Sequence, residues 1–331
     1  MNIDNHFRAF RIHSDAQAYR AGIETMGIDA LSPGEVLVKA EFSSVNYKDA
    51  LAGTGKGKIL RQFPLNGGID VAGHVIASSD PAFREGDAVL CTGSGLSETR
   101  DGGYSEIVRL EAKSTIAVPQ GLSLRESMIL GTAGFTAGLA LFRMLQNDQH
   151  PDMGPIVVTG ATGGVGMLAI DILSRAGFQI HAITGKPEHT ALLRQLGASE
   201  IHPRKELTWG RRPLEAAKWA GAIDSVGGET LSGLCRVIRP YGNIACCGMA
   251  GGDALDGSVM PFIIRGVSLL GIASAGTARA IRETVWAHLA ADWKPAHLET
   301  ICTREVGLEA LPVVFPGMLA GDSFGRTVVK L

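Results

Sequence analysis

The chain has 331 residues, a length that allows two domains, each with its own hydrophobic core. Its 45% hydrophobic and 19% charged residues, with 43 glycines, are typical of an α/β protein with many tight turns. A formal net charge of −2 excludes the global basic field of a nucleic-acid or membrane-surface binder. We find no apolar run of the roughly 18 residues that would span a bilayer. Five cysteines without CxxC spacing predict reduced thiols and a cytoplasmic enzyme.

The first 120 residues or so predict short strands separated by glycine, and therefore a compact β-rich domain. A polar stretch at 44–51 enters a short helix among these strands, and Pro119 marks the end of the region. A long helix is then predicted at 128–143. The predicted strands lie at 7–12, 35–40, 68–75 and 86–90.

Residues 156–166 read Ile-Val-Val-Thr-Gly-Ala-Thr-Gly-Gly-Val-Gly, a strand that enters a glycine-dense turn, and a helix is predicted at 167–175. This order is that of a dinucleotide phosphate loop, in which backbone N–H groups at the helix start face the pyrophosphate. Gly163 is expected to allow the tight turn, Gly164 to leave room beside the phosphates, and Gly166 to let helix and strand pack closely. The residues predicted to hold the pyrophosphate are Thr162, Gly163, Gly164, Val165 and Gly166.

From residue 156 onward the pattern alternates between strands and helices, which predicts a doubly wound parallel sheet. The further predicted strands lie at 178–183, from 201, and at 222–228, 243–248 and 268–273. We therefore place the cofactor domain at 128–295 and the β-rich catalytic domain at 1–127 and 296–331. The sixth strand is apolar and is expected at a sheet edge. Because an exposed apolar edge invites pairing, we expect a two-fold homodimer joined there.

The residues that would select the nucleotide lie after the second strand of this sheet. An NAD site usually has an acidic residue about 20 positions beyond the glycines, where it binds the ribose 2′-hydroxyl. Here Thr184-Gly185-Lys186 stands in that place without a carboxylate, and Arg204 is expected to close the same pocket. A hydroxyl and two cations suit a 2′-phosphate, which favours NADPH over NADH. The alternative is that Lys186 and Arg204 are ordinary solvated charges.

The β-rich start, the stretch Gly-Thr-Ala-Gly-Phe-Thr-Ala at 131–137 and the glycine turn resemble the medium-chain dehydrogenase/reductase superfamily, in particular its zinc-free quinone-oxidoreductase branch. Longer strings resemble the NADPH-dependent acryloyl-CoA reductases within that branch. These strings stand at 46–49, 54–59, 68–70, 259–265 and 325–327. The resemblance covers nearly the whole chain. It implies an α/β protein with a GroES-like β-rich catalytic domain, a Rossmann cofactor domain, and NADPH as the cofactor.

Alcohol dehydrogenases of this superfamily hold a catalytic zinc ion that this chain is not expected to bind. By the resemblance, the three ligand positions read Asn46, Ile69 and Ala133, and isoleucine and alanine have no metal-binding atom. Without a Lewis acid, the chemistry that remains is hydride delivery to a carbon activated by conjugation. The resemblance therefore implies reduction of an activated C=C bond by NADPH, with acryloyl-CoA converted to propanoyl-CoA. A quinone or an enone is the alternative substrate.

Such a reduction needs a donor that stabilises the enolate oxygen formed by hydride transfer. Tyr47 and Asn46 are predicted to donate hydrogen bonds to the substrate carbonyl, and Tyr47 is also expected to contact the cofactor. Tyr47 is then the proton donor, unless solvent protonates the α-carbon and Tyr47 only packs against the cofactor. Asp70 is expected either to orient Tyr47 or Arg326 or to have a purely structural role.

The loops after the fifth and sixth strands are expected to border the nicotinamide, because ligands bind at the carboxyl ends of parallel strands. Met249 and Ala250 lie in the first of these loops and Ser274 in the second. Ile263 is predicted to pack against the nicotinamide or, alternatively, in the core.

Two basic features complete the predicted site. The resemblance places Arg326 near the cofactor phosphates. A basic loop that contains Lys56, Lys58 and Arg61 either meets the phosphates of a CoA thioester or is a solvated surface.

Two other classes of protein share features of this sequence. A short-chain dehydrogenase needs Tyr-x-x-x-Lys, but the residues four positions beyond the four tyrosines are Ile23, Leu51, Val108 and Ala245, so this class is excluded. A catalytically idle NADPH-binding protein with a structural or RNA-binding role is the rival from another class. An RNA-binding surface would favour basic residues, and the net charge of −2 argues against it.

Overall fold

The computed structural model describes residues 6–15 and 18–331. It divides into two compact units. The first unit comprises the chain up to Thr132 with 275–283 and 298–331, and the second comprises 133–274 and 284–297. Residues 275–283 therefore group with the first unit, whereas the sequence pattern assigned them to the cofactor domain.

The strands and α-helices have the following bounds. The strands are β1 (His6–Ser14), β2 (Tyr19–Gly27), β3 (Val36–Val45), β4 (Leu65–Asn66), β5 (Asp70–Ser78), β6 (Ala88–Thr92), β7 (Ile107–Leu110), β8 (Ile116–Ala117), β9 (Ile156–Val158), β10 (Ile180–Thr184), β11 (Ala198–Pro203), β12 (Trp219–Asp224), β13 (Ile238–Cys246), β14 (Ser268–Gly271), β15 (Cys302–Val306) and β16 (Arg326–Lys330). The α-helices are α1 (Tyr47–Thr54), α2 (Leu124–Gln146), α3 (Gly164–Arg175), α4 (Thr190–Gln195), α5 (Gly228–Val237), α6 (Met260–Arg265), α7 (Arg279–Ala290), α8 (Leu298–Ile301) and α9 (Leu311–Ala320).

The first unit is built on two β-sheets, as predicted for a β-rich domain. One sheet has the order β2-β1-β4, and the other has the order β15-β16-β3-β5-β6-β8, with β7 also paired to β3. The long strand β3 pairs antiparallel with both β5 and β16, so it carries the residues around its end, near Val45, to the middle of the larger sheet. An aromatic core of Phe10, Tyr104 and Phe315 packs inside this unit, with the Phe10 and Phe315 rings 5.7 Å apart in an edge-to-face arrangement.

The second unit confirms the doubly wound parallel sheet. Its six strands have the order β11-β10-β9-β12-β13-β14, and every pair in it is parallel. Strands β9 and β12 are buried along their whole length, as expected for parallel strands covered on both faces. The chain leaves β9 towards β10 and later returns to its other side at β12, so the carboxyl end of β9 is the topological switch point. Strand β14 lies at the predicted edge, and the homodimer stays a prediction.

Helix α2 is longer than predicted and is interrupted at Gly131, whose φ of 50° and ψ of −154° are not helical. Its 23 residues are long and apolar enough to cross a membrane by length and composition, which corrects the expectation that no such run exists. However, 78% of its apolar window is buried within the protein, as in the core helix of a globular domain. Length and hydropathy are therefore weak evidence for a membrane span here.

The glycine turn after β9 has a different geometry from the predicted one. Gly160 has φ +57°, in the left-handed region, whereas Gly163 has φ −78°, which any residue can adopt. The tight turn therefore depends on Gly160, and the prediction that Gly163 supplies it is wrong. Gly166 has its predicted role, because a Cβ added there would lie 2.3 Å from the carbonyl oxygen of Gly160 and 2.7 Å from the Cα of Ala161.

Gly166→Ala is expected to destabilise the second unit, because the added methyl group meets backbone atoms that have no freedom to move aside. Overpacking of this kind costs about 1–3 kcal/mol. Urea denaturation followed by circular dichroism measures the loss. Gly317→Ala is the matched control, since Gly317 is also helical and an added Cβ there meets nothing within 4 Å. The control should keep or slightly raise stability; equal stability of both variants would contradict the close-packing role.

Candidate active site

The phosphate loop of the second unit lies at the switch point and leads directly into α3. Gly163 precedes the first turn of this 12-residue helix, whose leading N–H groups have no carbonyl partner within the helix. An added Cβ at Gly163 would meet only the carbonyl oxygen of Gly160, at 3.2 Å. The surface in front of the helix therefore consists of backbone donors with little side-chain bulk, which suits an anionic group such as a pyrophosphate.

A buried carboxylate, that of Asp224 at the end of β12, holds this loop in place. The Thr159 hydroxyl donates to Asp224 Oδ1 over 2.6 Å, and the Gly227 N–H donates to Asp224 Oδ2 over 2.8 Å. Burial raises the pKa of Asp224 above its usual value. We did not single out this residue from the sequence, although an acidic residue at the end of an apolar parallel strand was an available signal.

The residues predicted to bind the 2′-phosphate lie together at the ends of β10 and β11. The Thr162 and Thr184 hydroxyl oxygens are 3.5 Å apart, and the Lys186 N–H donates to Thr184 Oγ1 over 3.0 Å. A Cβ added at Gly185 would lie 3.3 Å from the Arg204 Cζ, so the exposed guanidinium lies beside the Gly185 backbone. This cluster combines hydroxyl groups with cations, and its chemistry fits a phosphate.

The loops after β12 and β13 are joined to each other. The Gly251 N–H donates to the Val226 carbonyl over 2.7 Å, and Met249, in the loop after β13, is 69% exposed. Ile263 in α6 is 74% exposed, so the alternative that it packs in the core is wrong. The predicted contacts of Met249, Ala250, Ile263 and Ser274 with a nicotinamide stay predictions.

The first unit contains a buried polar network centred on Asp70, the first residue of β5. Its Oδ2 atom accepts hydrogen bonds from the Ser44 hydroxyl at 2.6 Å and the Asn46 amide at 2.7 Å, and the Thr132 hydroxyl donates to Oδ1 over 2.5 Å. Arg326 Nη2 lies 3.9 Å from Asp70 Oδ2. Asp70 is therefore engaged within this network and lies beside Arg326, so a structural role and the orientation of Arg326 both stay predictions. Among the described residues no hydrogen bond joins it to Tyr47.

Arg326 is buried, with 2% of its surface exposed, and its guanidinium is engaged within the first unit. It donates to the Ile129 and Val45 carbonyls, to the Asn46 side-chain oxygen at 3.0 Å and to the Ser44 hydroxyl at 2.7 Å. The predicted contact of Arg326 with cofactor phosphates stays a prediction that this geometry does not favour, because the guanidinium is buried and four of its five N–H groups already have acceptors.

The side-chain nitrogen and oxygen of Asn46 already have hydrogen-bond partners, which corrects its predicted role as a donor to the substrate carbonyl. Its nitrogen donates to Asp49 Oδ2 at 3.2 Å and Asp70 Oδ2 at 2.7 Å, and its oxygen accepts from Arg326. Asn46 is instead a positioning residue that precedes α1 and fixes the start of that helix. The first residue of α1, Tyr47, is 48% exposed, and within 6–15 and 18–331 its hydroxyl has no hydrogen-bond partner.

Gly131 allows this network to close. A Cβ added there would lie 2.6 Å from both Asp70 Oδ2 and the Ser44 hydroxyl, and its φ of 50° disfavours any other residue. The interruption of α2 therefore lets backbone and polar side chains approach each other within hydrogen-bond distance.

Asp49, which we did not single out from the sequence, is a second buried carboxylate of the network. It accepts hydrogen bonds from the backbone N–H groups of Asn46 at 2.8 Å and Ile69 at 2.9 Å. Burial, and then the neighbouring charge of Asp70, raise the pKa of Asp49 from its ordinary value of 3.8 to about 7. Its carboxyl group therefore holds a proton through the acidic range.

The side chains at the three predicted zinc-ligand positions differ chemically from zinc ligands. The Asn46 amide is engaged as described, Ile69 is a buried aliphatic residue, and Ala133 has no donor atom. The chemistry of these side chains does not fit the catalytic zinc ion of related dehydrogenases.

The basic loop after α1 is an exposed surface. Lys56, Lys58 and Arg61 are all exposed, and none of the three makes an ion pair with a described carboxylate. Their charges are thus available to an anionic ligand, but no observation places one there.

Two protein families match the chain. The alcohol dehydrogenase GroES-like domain matches residues 32–120, and the zinc-binding dehydrogenase family matches residues 164–291. The quinone oxidoreductase YhfP of Bacillus subtilis is 42% identical over 98% of this chain and 99% of its own length. The acrylyl-CoA reductase AcuI of Ruegeria pomeroyi is 39% identical over 98% of this chain and 99% of its own.

Two solved structures share the fold over nearly their whole length. The yhdH oxidoreductase of Salmonella enterica in complex with NADP superposes with a TM-score of 0.94, at 41% identity, covering 98% of this chain and 99% of that one. The Bacillus subtilis yhfP structure with NAD bound has a TM-score of 0.95, at 42% identity and the same coverage. The predicted family and fold are thereby confirmed.

The raised pKa of Asp49 predicts a pH dependence of stability. The folded state holds the Asp49 proton more tightly than the unfolded state does. The protonated carboxyl group therefore stabilises the fold fully below about pH 4, and this stabilisation is lost as pH rises towards about 7. The free energy of unfolding of wild type minus that of Asp49→Asn should therefore fall over this window, by at most about 1.4 kcal/mol per pH unit. Urea denaturation across the window measures it.

Asp322→Asn is the control for this series, because Asp322 is an exposed carboxylate of the same unit. Its difference from wild type should change little with pH. A wild-type minus Asp49→Asn difference that is flat or rises with pH would contradict the assignment.

Proposed function

This chain belongs to the medium-chain dehydrogenase/reductase superfamily, and from that membership and the site above we propose that it reduces an activated C=C bond with NADPH. One observation carries the proposal for the catalytic residue. Asn46, Asp70 and Arg326 are engaged with one another, while the neighbouring phenol of Tyr47 is exposed and unpaired among the described residues. Tyr47 is therefore the group beside this network that remains available to a substrate.

The proposed reduction uses the exposed hydroxyl group of Tyr47. NADPH, when bound, supplies a hydride. As the hydride adds to the β-carbon, the electron pair of the C=C bond moves towards the carbonyl oxygen, where the Tyr47 hydroxyl donates a hydrogen bond to the developing negative charge. A proton then reaches the α-carbon, from Tyr47 with solvent replacing it, or directly from water. The product is the saturated carbonyl compound.

The proposed cofactor follows from the 2′-phosphate cluster. Thr184, Lys186 and Arg204 would hold the phosphate, and the donors at the start of α3 would hold the pyrophosphate. The complex of yhdH with NADP supports this choice, whereas the complex of yhfP with NAD shows that a similar chain accommodates the other nucleotide.

The proposed substrate is an acyl-CoA thioester, with acryloyl-CoA as the first candidate. Support comes from the similarity to acrylyl-CoA reductase AcuI and from the unpaired cations Lys56, Lys58 and Arg61, which suit the phosphates of CoA. The similarity to quinone oxidoreductase YhfP favours a quinone or enone as the second candidate. We also propose a cytoplasmic location and a homodimer joined along β14, from the sequence alone.

A substrate panel tests the proposed function. NADPH oxidation is followed with acryloyl-CoA, with the acryloyl thioester of N-acetylcysteamine, which lacks the CoA nucleotide, and with a naphthoquinone. We expect the highest kcat/KM with acryloyl-CoA and a raised KM with the truncated thioester. A preference for the quinone would favour the second candidate. Tight NADPH binding without turnover of any compound would favour the idle NADPH-binding protein.

Tyr47→Phe is expected to lower kcat for acryloyl-CoA by about 10²–10³-fold, as does the loss of one donor to a developing oxyanion. The dissociation constant of NADPH, measured by fluorescence titration, should change little. Tyr241→Phe is the control, since this tyrosine is 75% exposed on the second unit. An unchanged kcat in Tyr47→Phe would mean that Tyr47 only packs against the ligands and that water protonates the product.

Arg204→Ala is expected to weaken NADPH binding about 10- to 100-fold, because a charge-assisted hydrogen bond contributes about 1.5–3 kcal/mol. NADH has no 2′-phosphate, so its dissociation constant should stay the same. Lys205→Ala is the matched control, because the neighbouring Lys205 is an equally exposed cation in the same short 3-10 helix. Equal losses for NADH and NADPH would contradict the proposed phosphate contact.

A further inference from the structure

Two neighbouring strands of the second unit, β10 and the edge strand β11, bring two histidines and a glutamate together. His181 of β10 lies opposite Glu200 of β11 in the parallel register. His202 follows Glu200 by two residues and therefore lies on the same face of β11. The ligand-type atoms of all three side chains lie within 4.8 Å of one another.

The distances between these atoms match one face of a metal tetrahedron. His202 Nε2 lies 3.3 Å from His181 Nδ1, Glu200 Oε2 lies 3.5 Å from His181 Nδ1, and Glu200 Oε2 lies 3.7 Å from His202 Nε2. In a tetrahedral zinc site with bonds of about 2.0–2.2 Å, neighbouring ligand atoms are about 3.3–3.6 Å apart. One ion could therefore bind all three atoms with only small side-chain movements.

His181 is nine-tenths buried, with 8% of its surface exposed, and one of its two ring nitrogens lacks a hydrogen-bond partner among the described residues. The Trp219 indole N–H donates to Nδ1 over 3.1 Å, while the buried Nε2 has no hydrogen-bond partner among the described residues. Since the indole occupies the Nδ1 lone pair, a metal ion would have to displace that hydrogen bond.

The other two side chains leave the cluster open to water on one side. The Glu200 side chain is 58% exposed and that of His202 is 28% exposed. Solvent can therefore supply a fourth ligand, and an ion has a path to the cluster. Two imidazoles and one carboxylate favour zinc-class transition metals over magnesium or calcium, which prefer oxygen ligands.

We propose that His181, Glu200 and His202 form a binding site for one zinc-class divalent metal ion, with water as the fourth ligand. The site is independent of the proposed reductase activity and of the lost zinc position in the first unit. Its ligands come from two adjacent strands, so the bound ion fastens the edge strand β11 to β10. Arg204, the proposed phosphate ligand, follows His202 by two residues, and the ion would thus stabilise the segment that carries it.

The test uses full-length protein freed of metal with a chelator. Titration with Zn²⁺ by calorimetry should show one ion per chain. Co²⁺ should give the visible bands of a tetrahedral complex without a thiolate-to-metal charge-transfer band. His202→Ala and Glu200→Gln should each weaken Zn²⁺ binding at least about tenfold. His74→Ala is the matched control and should bind like wild type, because His74 contacts a single carboxylate, Glu41, at 2.6 Å.

Trp219→Phe provides a test in the opposite direction. It removes the competing indole N–H, so Zn²⁺ affinity should rise severalfold, and unchanged or weaker binding would overturn Nδ1 of His181 as a ligand. Wild-type affinity in His202→Ala, or a thiolate band with Co²⁺, would overturn the whole site and assign the ion to cysteine. Circular dichroism checks that each variant folds. If His202→Ala does not fold, Glu200→Gln still tests the site, because the Glu200 side chain is largely exposed and its replacement is not expected to disturb folding.

Discussion

The buried carboxylate of Asp70 is the constraint on which the candidate catalytic unit depends. It sits at the start of β5 and is contacted by side chains from β3, from the residue before α1, from the interruption of α2 and from β16. A buried charge is costly unless it is paired and hydrogen-bonded, so each of these elements must be in place for the others to be stable. The result is a rigid support at whose surface a single phenol is left unengaged.

The second unit also contains a buried carboxylate that fixes the position of a backbone segment. Asp224 at the end of β12 accepts hydrogen bonds from Thr159 and Gly227, and so ties the phosphate loop to the neighbouring strand. In both units a fully buried acidic group, which touches no ligand in our proposal, determines where the ligand-facing backbone lies. The groups that we propose to face the substrate and the cofactor, Tyr47, Thr184, Lys186 and Arg204 among them, are accordingly neutral or cationic.

The fold was predictable from the sequence where the signals are local. The alternation of strands and helices after residue 156 predicted the parallel sheet and its edge strand β14, because hydrophobic period and glycine position are read within one element. The side-chain partners were not predictable in this way. Asn46 looked like a substrate donor, yet two of its side-chain partners, Asp70 and Arg326, lie 24 and 280 positions away in the chain. Asp49 and Asp224 were missed because their burial exists only after the sheets have formed.

Two further differences have a conformational cause. The tight turn was assigned to Gly163 rather than Gly160, because spacing within a glycine-rich motif does not reveal which residue adopts a positive φ. The interruption of α2 was missed because a lone glycine in an apolar helical pattern is compatible with a continuous helix. At Gly160 and at Gly131, the folded structure places other side chains where a Cβ would lie, and the sequence alone does not show these neighbours.

The burial of Arg326 on β16 has a consequence for how the protein is made. Its contacts with Ser44 and Asn46 span 282 and 280 positions of sequence. The early strands therefore lack this partner of their polar centre until residue 326 has been synthesised, whereas the parallel sheet uses only strands within residues 156–271. The parallel sheet can consequently form before the larger sheet of the first unit has received its strand β16.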